Sequence, residues 1–92
     1  MKFRMSRTFK RNLNALPADA RKAAKEKFKL FKNNPSHPFH PSLRIKPMKG
    51  FSGVWEGHVT LGYVFTFQRT EENGEIIFEF RKIGKHDIYD NP

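Results

Sequence analysis

Four histidines carry most of the chemistry available to this chain: His37, His40, His58 and His86. An imidazole titrates close to neutral pH, so it takes or gives a proton without an extreme environment. Two of them flanked by cations suit one reaction well. Cleavage of RNA by its own 2′-hydroxyl needs a base for that hydroxyl, an acid for the leaving oxygen and positive charge for the crowded phosphate. His58 lies in the alternating run Trp55-Glu56-Gly57-His58-Val59, and His86 follows the last such run in Ile83-Gly84-Lys85-His86-Asp87. In an antiparallel sheet the end of one strand lies beside its neighbour, so the two can converge. From spacing alone each also reads as an ordinary surface or strand-end histidine.

Other chemistries are excluded or weak. The chain has no cysteine, hence no disulfide, thiolate metal site or cysteine nucleophile. His37 and His40 are three apart across Pro38, and no HxH or HxxxH pair occurs. A zinc site would need distant carboxylates, so no metal or other cofactor is expected. No Walker loop, GxSxG or dinucleotide fingerprint is present. Arg44, Lys46 and Lys49 read either as phosphate contacts, the reading favoured, or as a solvated face. Trp55 and Tyr63 are assigned to the core. Tyr89, in the polar tail, reads equally as a stacking or acid group and as an anchor.

These side chains need a scaffold. Lys2-Phe3-Arg4-Met5 reads as an opening strand. Ser6 is a plausible N-cap for a helix whose apolar positions are Phe9, Leu13 and Leu16. Pro17 and Asp19 mark the first turn of a second helix. Its apolar stripe is Ala20, Ala24, Phe28 and Phe31, and a second stripe is Arg21, Lys25, Lys29 and Lys32. Asn33-Asn34-Pro35 should end it, with a loop over 35–42. Leu43-Arg44-Ile45-Lys46 alternates like a strand, and Lys49-Gly50-Phe51-Ser52-Gly53 reads as a turn. Period-two alternation in three later runs, with Asn73-Gly74 between the last two, predicts an antiparallel meander. Its aromatic face should pack on the helices, leaving Glu56, His58, Thr60, Thr66 and Gln68 on a polar face. The expected fold is a single α+β domain over 1–92: a strand, a two-helix hairpin, then a twisted antiparallel sheet of three to four strands.

Charge points to the partner. Eighteen Lys and Arg against nine Asp and Glu give a net +9. Residues 1–50 hold 14 basic and 2 acidic side chains, or +12, whereas residues 51–92 hold 4 and 7, or −3. An excess so concentrated favours a polyanion. No apolar run approaches membrane-spanning length and no signal-peptide core precedes the first helix, so a soluble, cytoplasmic protein without a membrane partner is expected.

The order and spacing of several segments resemble the RelE/ParE toxin superfamily over nearly the whole chain. They are Leu16-Pro17, Asn34-Pro35, His40-Pro41-Ser42-Leu43, Trp55-Glu56-Gly57-His58-Val59, Tyr63-Val64-Phe65-Thr66-Phe67 and Ile83-Gly84-Lys85-His86-Asp87-Ile88-Tyr89. The histidine-bearing, YafQ-like branch fits best: its loop, strand and post-strand histidines correspond to His40, His58 and His86. The resemblance implies a RelE-like fold and the toxin component of a type II toxin–antitoxin system. It implies an endoribonuclease that cuts mRNA in the A site of the 70S ribosome, without metal, and is inhibited by a cognate antitoxin. His58 and His86 would then be acid and base in either order, with His40 assisting. Arg44, Lys46, Lys49, Arg81 and Lys85 would meet RNA phosphates, and Asp87 and Tyr89 would support the site. Arg21, Lys25, Lys29 and Lys32 would contact ribosomal RNA or the antitoxin. The chain departs from the RelE pattern with Val64 in place of an arginine, and from the YafQ-like pattern with Leu61-Gly62 in place of an acidic residue. The superfamily also holds ParE-like gyrase inhibitors, so a gyrase-binding toxin or a catalytically degenerate binding module are the alternatives.

Overall fold

The computed structural model describes residues 1–35 and 39–92. Helix α1 (Arg7–Ala15) starts where expected, because the Ser6 side chain accepts a hydrogen bond from the Phe9 amide at 3.0 Å. Helix α2 (Ala18–Asn33) follows Pro17, with Asp19 in its first turn and Lys32 in its last, both matched to the helix dipole. Ala20, Ala24, Phe28 and Phe31 are its buried positions, so the apolar stripe read from spacing is the face it packs with.

Five strands form one sheet: β1 (Lys2–Met5), β2 (Lys46–Pro47), β3 (Val54–His58), β4 (Val64–Glu72) and β5 (Glu75–Gly84). Their order is β1-β5-β4-β3-β2. The architecture is the expected α+β one, with two differences. Strand β1 joins the meander by pairing parallel to β5, whereas every other pair is antiparallel. At the far edge Leu43–Lys46 is not a strand. Pro41–Leu43 forms a 3-10 turn capped by His40, Arg44 takes a left-handed φ of 48°, and only Lys46–Pro47 pairs with β3. Proline cannot donate to a ladder, which suits this short edge. Asn73 (φ 51°) and Gly74 (φ 79°) turn β4 into β5, the positive-φ pair a two-residue hairpin requires.

The inner face of the sheet and the helices share one apolar cluster. Phe31 stands in its middle, with ring centroids 5.1–5.5 Å from those of Phe78, Phe67, Phe39 and Phe80. The outer face carries the polar members of each strand, except that Thr60 lies beyond the end of β3. Its hydroxyl accepts from the Gly62 and Tyr63 amides and shapes the β3–β4 turn. One irregularity matters later: the β4–β5 register slips at Thr66/Phe67.

Candidate active site

Register explains how two distant histidines meet. On the outer face His58 pairs with Val64, and Val64 pairs with Gly84, so the three form one row across β3, β4 and β5. Strands sit ~4.8 Å apart, which puts Gly84 ~10 Å from His58. A 3-10 turn (His86–Asp90) starts two residues later and returns the chain over that row. The His58 and His86 rings end with centroids 6.3 Å apart at 66°. Tyr89, from the same turn, meets His86 edge-on at 5.6 Å. Val64 is fully buried in the middle of the row.

The surroundings set the protonation of this group. Burial lowers the pKa of His58, the positive charge of Arg44 lowers it further, and His86 and Lys46 add to the same side. Glu56 opposes them. Arg44 exerts its effect from the strained left-handed position that ends the 3-10 turn, a conformation that costs a non-glycine residue about 1–3 kcal/mol. Glu56 is only 9% exposed, with the Lys46 ammonium 3.6 Å from its carboxylate. Burial pushes the Tyr89 phenol up to about 12, and the charge of Glu56 holds its proton on as well. The Tyr89 hydroxyl is buried and makes no hydrogen bond of full geometry among the described residues, although the Glu56 carboxylate is near enough to act on it. The result is a neutral-leaning imidazole, a second imidazole at the rim, two cations and a protonated phenol around one surface.

Solved toxins share this architecture. The YoeB/ParE toxin from Agrobacterium tumefaciens superposes with a TM-score of 0.72 over 94% of this chain and 99% of its own, at 18% identity. YafQ from E. coli gives a TM-score of 0.72 over 94% of this chain and 93% of its own, also at 18% identity. The structure of the RelB–RelE antitoxin–toxin complex from Methanococcus jannaschii gives 0.69 over 97% and 99%, at 25% identity. The chain carries the RelE/ParE toxin fold. No protein-family model and no curated protein matches it, so the likeness is one of RelE/ParE structure with little sequence shared.

On this RelE/ParE scaffold the remaining candidates fall into three groups. Arg44 and Lys46 join the histidine pair, acting on His58. His40 caps the first 3-10 turn: its Nδ1 accepts from the Ser42 amide at 3.2 Å and lies 2.8 Å from the Ser42 hydroxyl. Lys49 is exposed in the turn before β3. Lys85 and Asp87 line a groove of about 360 Å³ with Asn12 and Pro17 from the helices and Tyr63 from the connection before β4. Arg81 is engaged by Gln68 and the backbone of Pro92. Of the basic helix stripe, Arg21 donates to the Asn14 carbonyl, Lys32 lies 5.8 Å over the Phe3 ring, and Lys25 and Lys29 are exposed. His37 lies outside the described residues. Among the described residues no three His, Asp or Glu are grouped to hold a metal ion, and no helix is long and apolar enough to cross a membrane. Glu56 belongs to the site although sequence reading placed it only on a polar face. Strand parity with His58 was the available signal.

Proposed function

We propose that this chain is a single toxin domain of a toxin–antitoxin pair and acts as a metal-independent endoribonuclease on mRNA in the ribosomal A site. The observation that carries the reading is the His58–His86 pair, 6.3 Å apart on a RelE/ParE fold. In this reading neutral His58 takes the proton of a ribose 2′-hydroxyl. The freed oxygen bonds to the adjacent phosphorus, and the bond from phosphorus to the 5′-oxygen breaks. His86, exposed at the rim, gives that oxygen its proton. The products are a 2′,3′-cyclic phosphate and a 5′-hydroxyl. Arg44 and Lys46 stabilise the extra charge on phosphorus while keeping His58 unprotonated, so one pair of cations serves both needs. Tyr89, kept protonated, packs its ring edge-on against His86 and helps to hold that imidazole at the rim. His40, Lys49, Lys85 and Asp87 would bind or orient RNA from the rim.

The RelE of M. jannaschii and the YafQ of E. coli are each found in complex with an antitoxin. A cognate antitoxin is the corresponding partner here, and an acidic segment would match the exposed Lys25 and Lys29. The test is primer extension on a model mRNA, with and without 70S ribosomes, for wild type and a His58→Ala, His86→Ala double variant. Cuts that need ribosomes and disappear in the variant are expected. Cleavage that survives loss of both histidines would sink the assignment. An uncut message with growth arrest would favour gyrase as the target instead, and an uncut message without arrest a non-catalytic module.

A further inference from the structure

The outer face holds a second cluster of donors, two residues along β4 from the histidine row. Consecutive side chains of a strand leave opposite faces. The irregularity in β5 breaks that rule. Pairing passes from Thr66–Lys82 to Phe67–Phe80 and leaves Arg81 as an extra residue, a β-bulge. Bulges re-aim side chains, often beside functional sites. Arg81 Nη1 donates to Gln68 Oε1 at 3.0 Å, and the Ser6 hydroxyl donates to the Arg81 carbonyl at 2.9 Å. Arg81 and Lys82 are thus two successive cations reaching one set of partners.

Those partners are the backbone oxygens of the last two residues. Thr66 Oγ1 (3.3 Å) and Arg81 Nε (3.0 Å) both donate to the Pro92 oxygen. Lys82 Nζ donates to the Asn91 oxygen at 2.5 Å. Thr66 is fully buried, and Pro92 is buried with it. Neither Arg81 nor Lys82 meets an Asp or Glu carboxylate among the described residues. A hydroxyl, a guanidinium and an ammonium converging on neighbouring oxygens are the donors a phosphodiester would recruit. The cluster lies ~7 Å along the strand from the histidine row, on the scale of one nucleotide step.

We propose that Thr66, Arg81 and Lys82 form a second phosphate subsite for RNA, which residues 91–92 occupy until a phosphate displaces them. The proposal rests on the nuclease reading for its choice of RNA, yet binding can be read without cleavage. The probes are inorganic phosphate and a 2′-O-methyl tetranucleotide, which lacks the nucleophile. On the full chain, NMR should show the Arg81 Nε–H signal moving with either probe. A variant ending at Asp90 should bind the tetranucleotide roughly tenfold more tightly, about the worth of one charge-assisted hydrogen bond. Thr66→Val in that shorter chain should remove much of the gain, and Arg81→Lys, which keeps the charge but lacks the guanidinium Nε–H donor, should remove much of it as well. An Arg81 signal that ignores both probes, or equal affinity with and without residues 91–92, would overturn the proposal. If the shorter chain does not fold, the Arg81 signal of the full chain decides. An Arg81 response in a protein that leaves message intact upholds the subsite and removes the nuclease reading. Cleavage with a silent Arg81 does the reverse.

Discussion

The two faces of one sheet follow different rules. The inner face is built from repetition: Phe65, Phe67, Phe78 and Phe80 meet Phe9, Phe28 and Phe31 in overlapping ring contacts, each of them at most 5% exposed. Any one ring touches several others, so burial is shared and non-directional. The outer face is built from single, directional contacts between unlike groups. Glu56 meets Lys46, Arg81 meets Gln68, and Tyr89 keeps a buried hydroxyl without a full hydrogen bond. Such a surface is costly to assemble and contributes little to stability. What it does provide is a set of perturbed protonation states. The contrast teaches that the fold is held by one side of the sheet, which leaves the other free to hold chemistry.

The largest effect expected from that contrast is on stability. Phe31→Ala removes a fully buried ring at the centre of the cluster. It should destabilise the protein by about 3–5 kcal/mol, a large share of the ~5–15 kcal/mol a small domain possesses. By comparison, the His58→Ala, His86→Ala variant should stay within ~1 kcal/mol of wild type while losing cleavage. Urea unfolding midpoints of the two variants check this directly. A Phe31 variant as stable as wild type, or a histidine variant that unfolds, would break the division between faces.

The inner face was largely legible from sequence because its rules are local. The Ser6 cap, the Ala20–Phe31 stripe and the Asn73-Gly74 hairpin each follow from neighbours a few residues apart. Gly57 is a subtler case: a Cβ there would lie 2.3 Å from the Phe65 ring, so glycine is what lets β3 and β4 pack. The outer face was legible only in part. Strand parity put Glu56, His58 and Thr66 on one side, and the convergence of His58 with His86 follows from register. The parallel pairing of β1 with β5 was not legible, since its partner lies about 75 residues away and parallel and antiparallel ladders share one alternation. Nor was the false strand at Leu43–Lys46, where alternation mimics a pairing that Arg44's left-handed φ prevents. The bulge leaves a trace in the sequence: the apolar inner-face positions run Ile76, Phe78, Phe80, then Ile83, a step of three where parity demands two. The seat of Pro92 depends on tertiary contacts and has no local signal.

A smaller effect should follow at the centre of the outer face. Glu56→Gln keeps the shape but removes the carboxylate that raises both Tyr89 and His58. Tyr89 should then titrate closer to its ordinary value of ~10, although burial still holds it up, and His58 should fall further. Lys46 loses its partner but is largely exposed, so stability should change by only about 1 kcal/mol. Tyrosinate absorbance, with Tyr89→Phe identifying the signal, and NMR titration of the His58 ring read the two shifts. Movement of His58 upward would show that Glu56 does not act on it through charge.

The smallest effect is a pH dependence of folding carried by His58 itself. Its folded pKa lies below the unfolded value of ~6.5, first through burial and then through Arg44. Above that value the imidazole is neutral in both states and contributes nothing. As pH falls through it, the unfolded chain takes up the proton first, so stability is lost until pH drops below the folded pKa. His58→Gln cannot take up a proton and should lack that loss. Unfolding midpoints measured from pH 8 to pH 5, the range that brackets the unfolded pKa, should therefore coincide in slope at the upper end and separate toward the lower. The wild type should fall more steeply, by less than about 1 kcal/mol for a half-buried ring. Arg44→Gln, with His58 intact, should narrow the gap by relieving part of the repulsion. Parallel curves for wild type and His58→Gln would mean that the outer face does not hold His58 below its ordinary pKa, and the assignment of His58 as the base would lose its electrostatic ground.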